Sequence, residues 1–121
     1  MSQPTPAEFR ESRRVAQERL MAVDHQGVKR FLNLDSAAYR DSSSDGGLDA
    51  PTKELLGLTA SCVLRCDDCI RYHIEQCVKE GVTDRHIIEA MNIALVVGGS
   101  IFIPHFRRAM LFLDQLRAES T

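Results

Sequence analysis

Helix start and stop signals constrain this 121-residue chain more than any other feature of its sequence. Thr5, Pro6 and Glu8 form one start: the threonine can cap the helix, proline needs no amide donor there, and glutamate can return the hydrogen bond. Gly81 supplies a stop further along. Between such signals apolar residues recur at helical spacing, and we find no convincing β alternation. The sequence therefore predicts an all-α fold.

The same signals divide the chain into about six helices. Between the second and third helices, the serine-, glycine- and aspartate-rich stretch 41–49 favours turns and predicts a loop. This loop is too short to indicate a boundary, so we expect a single domain over residues 1–121. The predicted helices cover approximately residues 5–24, 28–39, 49–63, 67–80, 83–98 and 104–117.

The fifth predicted helix is apolar on more than one face, as Ile87, Ile88, Met91, Ile93 and Val96 show. A chain of this size has little interior with which to cover so many apolar faces. We therefore expect a homo-oligomer, in which a second subunit covers the additional face. The alternative is a monomer in which this helix is central.

Composition narrows the classes of partner. A net charge of −2 gives no electrostatic reason to expect a nucleic acid or an anionic membrane as partner. The N-terminal stretch lacks the apolar centre of a secretory signal, and no stretch approaches the roughly 20 apolar residues of a membrane span. We expect a soluble, cytoplasmic protein. Its four cysteines then indicate metal binding, redox chemistry or burial rather than structural disulfides.

Two of these cysteines stand at the start of the fourth predicted helix. Cys66 and Cys69 lie three residues apart, close enough for a local disulfide. A helix N-terminus favours the thiolate, which is the reactive form of cysteine. His73 returns to the face of Cys69 one turn later and can remove a thiol proton near neutral pH. The pattern indicates a redox pair with its own base.

Two other interpretations of these residues stay open. Zinc could be held by the two thiolates and the imidazole, with Cys62 or Cys77 as fourth ligand, although structural zinc sites usually draw two pairs from separate segments. The cysteines could also be packing residues of buried helices, which is the interpretation that we favour for Cys62 and Cys77.

Glu54 precedes Cys66 by twelve residues, which gives the pattern E-x11-C-x2-C-x3-H over Glu54, Cys66, Cys69 and His73. This pattern resembles the active-site motif of the AhpD-like alkylhydroperoxidases, in the carboxymuconolactone decarboxylase superfamily. Residues 48–100 are similar to the core of that family in order and spacing.

The resemblance implies an AhpD-like helical fold that assembles into homotrimers or homohexamers. It also implies a thiol-dependent peroxidase or disulfide reductase of antioxidant defence, in which Glu54 and His73 relay protons. The substrate would be a small peroxide. No bound cofactor is implied, and the electron donor would be an external dithiol, such as lipoyl or a thioredoxin-like protein. We predict that Cys69 attacks the peroxide and that Cys66 then forms the disulfide with it. The reverse assignment of the two cysteines stays open.

One residue departs from the family pattern. Where the best-known peroxidase members have a histidine just before the second cysteine, this chain has Asp68, and an acid there opposes thiolate formation. Two alternative functions are therefore kept: a gamma-carboxymuconolactone decarboxylase-like enzyme, against which the cysteine pair argues, and a non-enzymatic redox-sensing oligomer. Of the other histidines, His105 is predicted to be a helix-start or interface residue, and His25 and His86 surface residues.

Overall fold

The computed structural model describes residues 3–119, and in that range it contains six α-helices, two short 3-10 turns and no β-strand. The prediction of an all-α fold is confirmed. The 3-10 turns are Ser43–Asp45 and Ser100–Phe102. The helices are α1 (Pro6–Met21), α2 (Gln26–Ala38), α3 (Ala50–Leu64), α4 (Asp67–Lys79), α5 (Asp84–Gly98) and α6 (Ile103–Glu119).

The helices fall into two compact units that divide between Arg40 and Asp41, at the start of the predicted loop. The first unit holds α1 and α2, and the second holds α3 to α6. The single domain expected over residues 1–121 stays a prediction.

In the first unit, α1 begins with the expected capping box. Thr5 Oγ1 accepts a hydrogen bond from the Glu8 N–H at 3.2 Å, and Glu8 Oε1 accepts one from the Thr5 N–H at 2.9 Å. Helical spacing in the sequence predicts one apolar face of this helix, with Phe9, Ala16, Leu20 and Val23. In the structure Phe9 is buried, whereas Leu20 is 41% exposed. The start of α2 is capped by His25, whose Nδ1 accepts from the Val28 N–H at 3.3 Å.

In the second unit, α3 packs against both α4 and α5, and α4 packs in turn against α6. The buried face of α6 is set by Ala109, Phe112, Leu113 and Leu116, which recur at helical spacing. Helical spacing in the sequence predicts that Phe106, Met110, Leu111 and Leu113 face inward. Leu113 is buried, but Leu111 lies off this face and is 62% exposed, so its predicted inward position is wrong. The largest fully buried side chains of the unit are Phe102, Leu58, Ile70, Ile74, Ile87, Met91, Leu113, Cys62 and Cys77.

The connection from α3 to α4 consists of two residues. Arg65 ends α3 in the left-handed conformation, with φ 59° and ψ 43°, and its N–H donates to the Cys62 carbonyl at 3.0 Å. The next N–H, that of Cys66, donates to the Ser61 carbonyl at 3.2 Å. These two bonds satisfy carbonyls at the end of α3 that have no partner within the helix. Cys66 is therefore held at the junction of the two helices.

Candidate redox site

Cys66 and Cys69 are joined as a disulfide at the start of α4, with 5.3 Å between their Cα atoms. Cys66 is the N-cap residue of this helix, and the Cys69 N–H points at its Sγ atom over 3.3 Å. Once the bond is reduced, this N–H and the positive end of the helix dipole favour a negative charge on the Cys66 sulfur. Cys69 is exposed, whereas Cys66 is half-buried. The two sulfurs thus differ in environment, Cys69 being the more accessible.

A buried carboxylate and an imidazole face each other across α3 and α4. His73 Nδ1–H donates to Glu54 Oε2 at 2.9 Å, and each of the two side chains is 9% exposed. Because the carboxylate accepts from Nδ1, the neutral ring keeps Nε2 as its hydrogen-bond acceptor. The pair can therefore take up a proton at Nε2 and stabilise the resulting imidazolium.

Helix periodicity explains why this contact forms. Glu54, Leu58 and Cys62 lie four residues apart on the face of α3 that is buried, and all three are less than a tenth exposed. On α4, His73 belongs to the buried face together with Ile70. The structure brings Glu54 and His73 together as the family motif led us to expect, while their proton-relay roles stay predictions.

Another charged cluster adjoins the cysteine pair, and sequence reasoning missed it. Asp67 Oδ1 accepts a hydrogen bond from His105 Nδ1–H at 2.8 Å, and Asp67 Oδ2 accepts one from Arg108 Nε–H at 3.1 Å. Burial raises the pKa of Asp67, but these two hydrogen bonds outweigh burial and leave it below its usual value. The partners lie about forty residues apart in sequence. The only available signal was the three-residue spacing of His105 and Arg108 on one helix.

Asp68, the residue that departs from the family motif, has a cationic neighbour. Its side chain is 83% exposed, and its Oδ1 accepts a hydrogen bond from Arg71 Nη1–H at 3.2 Å. Water and this guanidinium both weaken its effect on the adjacent sulfurs. The opposition to thiolate formation expected from Asp68 is thus reduced.

Cys62 and Cys77 are both free thiols with no exposed surface. Burial raises the pKa of each to about 12, so both are protonated near neutral pH. This agrees with their interpretation as packing residues. Within residues 3–119, no three side chains of histidine, cysteine, aspartate or glutamate are grouped in a way that could hold a metal ion.

Fold and site together define a helical protein with a disulfide at a helix start and a buried carboxylate–imidazole pair one helix turn away. The sequence profile of the Carboxymuconolactone decarboxylase family matches residues 27–115. The chain belongs to this family.

Individual relatives agree with this assignment. A Thermotoga maritima protein of the same family, for which a part in the antioxidative response has been suggested, is 56% identical with a TM-score of 0.85. The match covers 93% of this chain and 92% of that one. The Paracoccus denitrificans "Uncharacterized protein 4 in cox locus" is 32% identical over 71% of this chain and 74% of its own length. Alkyl hydroperoxide reductase AhpD of Corynebacterium kroppenstedtii is 32% identical over 60% of this chain and 44% of its own length.

No helix in the described part of the chain is both long enough and apolar enough to cross a bilayer.

Proposed function

We propose that this protein is a thiol-dependent peroxidase and disulfide reductase that serves antioxidant defence. The observation that carries the proposal is the position of the Cys66–Cys69 pair on the same helix as His73, whose ring Glu54 holds at 2.9 Å. The AhpD relative and the antioxidative role suggested for the Thermotoga protein support it.

Peroxide attack is assigned to Cys69, because it is the more exposed cysteine and lies one helical turn before His73. His73 Nε2 takes the Cys69 thiol proton, directly or through one water, and the thiolate attacks a peroxide oxygen. The O–O bond breaks, Cys69 becomes a sulfenic acid, and the departing alkoxide receives the proton as an alcohol. Glu54 stabilises the imidazolium that exists between the two proton transfers.

Cys66 then resolves the sulfenic acid. Its thiolate, favoured by the Cys69 N–H, attacks the Cys69 sulfur and forms the disulfide. The hydroxyl group leaves as water after taking up a proton. In total the dithiol loses two electrons, and one peroxide becomes one alcohol and one water.

The dithiol is regenerated by an external dithiol, such as a lipoyl group or a thioredoxin-like protein. Its thiolate attacks the exposed Cys69 sulfur, and Cys66 departs as the stabilised thiolate. The second thiol of the donor then releases Cys69, so the donor leaves as a disulfide.

Peroxide consumption by the purified protein tests this function. The protein is given tert-butyl hydroperoxide with dihydrolipoamide, reduced thioredoxin or dithiothreitol as donor. We expect turnover with at least one donor, loss of turnover in Cys69→Ser, and retention in the matched control Cys77→Ala. The absence of peroxide consumption with every donor would overturn the peroxidase proposal. Slow turnover with a different elution volume for oxidised and reduced protein would favour a redox sensor instead.

We also propose that the protein is a homo-oligomer, and the family resemblance points to a homotrimer or homohexamer. The support comes from α5, which has two apolar stripes. Ile87 and Met91 of one stripe are fully buried. In the other stripe Ile93, Val96 and Val97 are 57%, 75% and 70% exposed. Contiguous exposed apolar surface of this kind marks interaction sites.

A further inference from the structure

The residue that follows Cys66 is fixed to the start of α6. Asp67 receives one hydrogen bond on each carboxylate oxygen, from His105 and from Arg108. Arg108 Nη2 also lies 3.1 Å from His105 Nδ1, so the three side chains are in mutual contact. The hydrogen on Nδ1 goes to Asp67, so this third contact is not a hydrogen bond. Because charge-assisted bonds to both oxygens fix a carboxylate in place, they also fix the backbone between Cys66 and Asp67.

Two acidic residues directly follow Cys66, and they differ in exposure. The Asp68 side chain is 83% exposed, so solvent screens its charge. The Asp67 side chain is only 31% exposed and adjoins Cys66 in the chain, so its charge is less screened. An unbalanced carboxylate at this position disfavours a thiolate on Cys66. The guanidinium of Arg108, bonded to Asp67 at 3.1 Å, supplies the balancing charge.

Three helices contribute charged or titratable groups to this region, and Arg65 precedes Cys66 in the connection. Cys69 is the nearest titratable group when the disulfide is reduced. The remaining groups are Glu54 of α3, Asp68, Arg71 and His73 of α4, and Asp67, His105 and Arg108 of the cluster.

We propose that Asp67, His105 and Arg108 are a positioning cluster that keeps Cys66 available as a thiolate, with Arg108 cancelling the charge that Asp67 places beside it. The proposal rests on the proposed function, in which the Cys66 thiolate attacks the sulfenic acid of Cys69 and is the leaving group when the external dithiol reduces the disulfide. None of the three residues needs to touch the peroxide, because they act through the position and charge state of Cys66.

The charge effect is tested by alkylation of Cys66 with iodoacetamide against pH, in a Cys69→Ser background, with the labelled peptide read by mass spectrometry. We expect Arg108→Met to raise the pH midpoint of Cys66 alkylation by about 0.5, which is about threefold in thiolate population near neutral pH. Asp67→Asn is expected to lower the midpoint by a similar amount. The matched control Arg107→Met, an exposed neighbour on α6, is expected to leave it unchanged.

Opposite directions in the two variants separate the charge effect from structural damage, because both variants weaken the same cluster but change its net charge in opposite directions. Arg108→Lys keeps the charge and should restore most of the wild-type midpoint. Arg108→Gln loses the charge but keeps a donor, and it repeats the test if Arg108→Met does not fold. Midpoints that shift in the same direction, or do not shift, would overturn the proposal.

The equilibrium with glutathione gives a second measure, in the protein with both cysteines. Two glutathione molecules reduce the Cys66–Cys69 disulfide and leave as glutathione disulfide. At a pH above the alkylation midpoints of both proteins, where the reduced Cys66 is fully ionised, we expect Arg108→Met to lower the equilibrium constant for reduction about threefold, which is about 14 mV towards more negative potential. An unchanged constant would contradict the proposal. If the wild type consumes no peroxide, the proposed function fails, while both measurements still decide on the cluster.

Discussion

His73 Nδ1 lies 2.9 Å from Glu54 Oε2 in a contact that joins α3 to α4 and is almost closed to solvent. A buried carboxylate in this position fixes the orientation of the ring and of its Nε2 atom through the bond to Nδ1. In the proposed relay, this pair holds a proton while the cysteines exchange charge.

Glu54→Gln tests this pair. The amide oxygen can still accept from Nδ1–H but carries no charge, so the imidazolium loses its counter-ion. We expect kcat for peroxide reduction to fall about 100-fold, a usual size for loss of acid–base assistance. The matched control Glu89→Gln changes a 62% exposed side chain of α5 and should leave kcat within twofold. An unchanged kcat in Glu54→Gln would exclude a relay through this residue.

Native-state thiol labelling should separate the four cysteines into two classes. After reduction, Cys66 and Cys69 should react readily with maleimide. Cys62 and Cys77 should react at least about 100-fold more slowly until the protein is unfolded, because they are buried and protonated. Fast labelling of all four thiols in the folded protein would contradict the structure.

The same buried thiols predict a loss of stability in alkali. Their ordinary pKa is 9.0, whereas burial raises the native value to about 12. Between these values the unfolded chain releases protons that the native chain retains, so stability is fully present below pH 9 and falls as pH rises. We expect the urea midpoint of Cys62→Ala/Cys77→Ala to decline less between pH 8.5 and 10.5 than that of the wild type. Parallel declines would refute this contribution.

Arg65 should be replaceable by glycine with a gain in stability. An L-residue at φ 59° pays a steric cost that glycine does not, partly offset by the greater freedom of glycine in the unfolded chain. We expect Arg65→Gly to raise the free energy of unfolding by about 1 kcal/mol, and Arg65→Val to lower it. Urea denaturation of the two variants beside the wild type measures both, and a less stable Arg65→Gly would contradict the strain.

Charge on the exposed stripe of α5 should disrupt the oligomer. Ile93→Glu/Val96→Glu places two carboxylates on a surface that we expect a second copy to cover. The variant should elute near the 13.6 kDa monomer in gel filtration with its helical circular dichroism retained, while the wild type elutes earlier. The control Lys79→Glu alters charge on exposed surface elsewhere. A wild type that is monomeric at every concentration would end the oligomer proposal.

Local signals in the sequence predicted the helices well, because caps and helical periodicity act over a few residues. The capping box at Thr5 is such a signal, and the motif anticipated the meeting of Glu54 with His73. The Asp67 cluster could not be predicted, because its partners come from a helix about forty residues away and no local pattern links them. Leu111 was misplaced because one apolar residue cannot show which side of a helix packs.

The length of the two-residue connection between α3 and α4 also fixes how the two helices are rotated relative to each other at the site. Each residue of an α-helix turns the chain by about 100°, so an insertion between Leu64 and Asp67 would rotate one helix relative to the other unless the turn absorbed it. That rotation would carry His73 away from Glu54 even though both residues remained in place along the sequence. The number of residues between the glutamate and the histidine is therefore as much a part of the site as the side chains themselves.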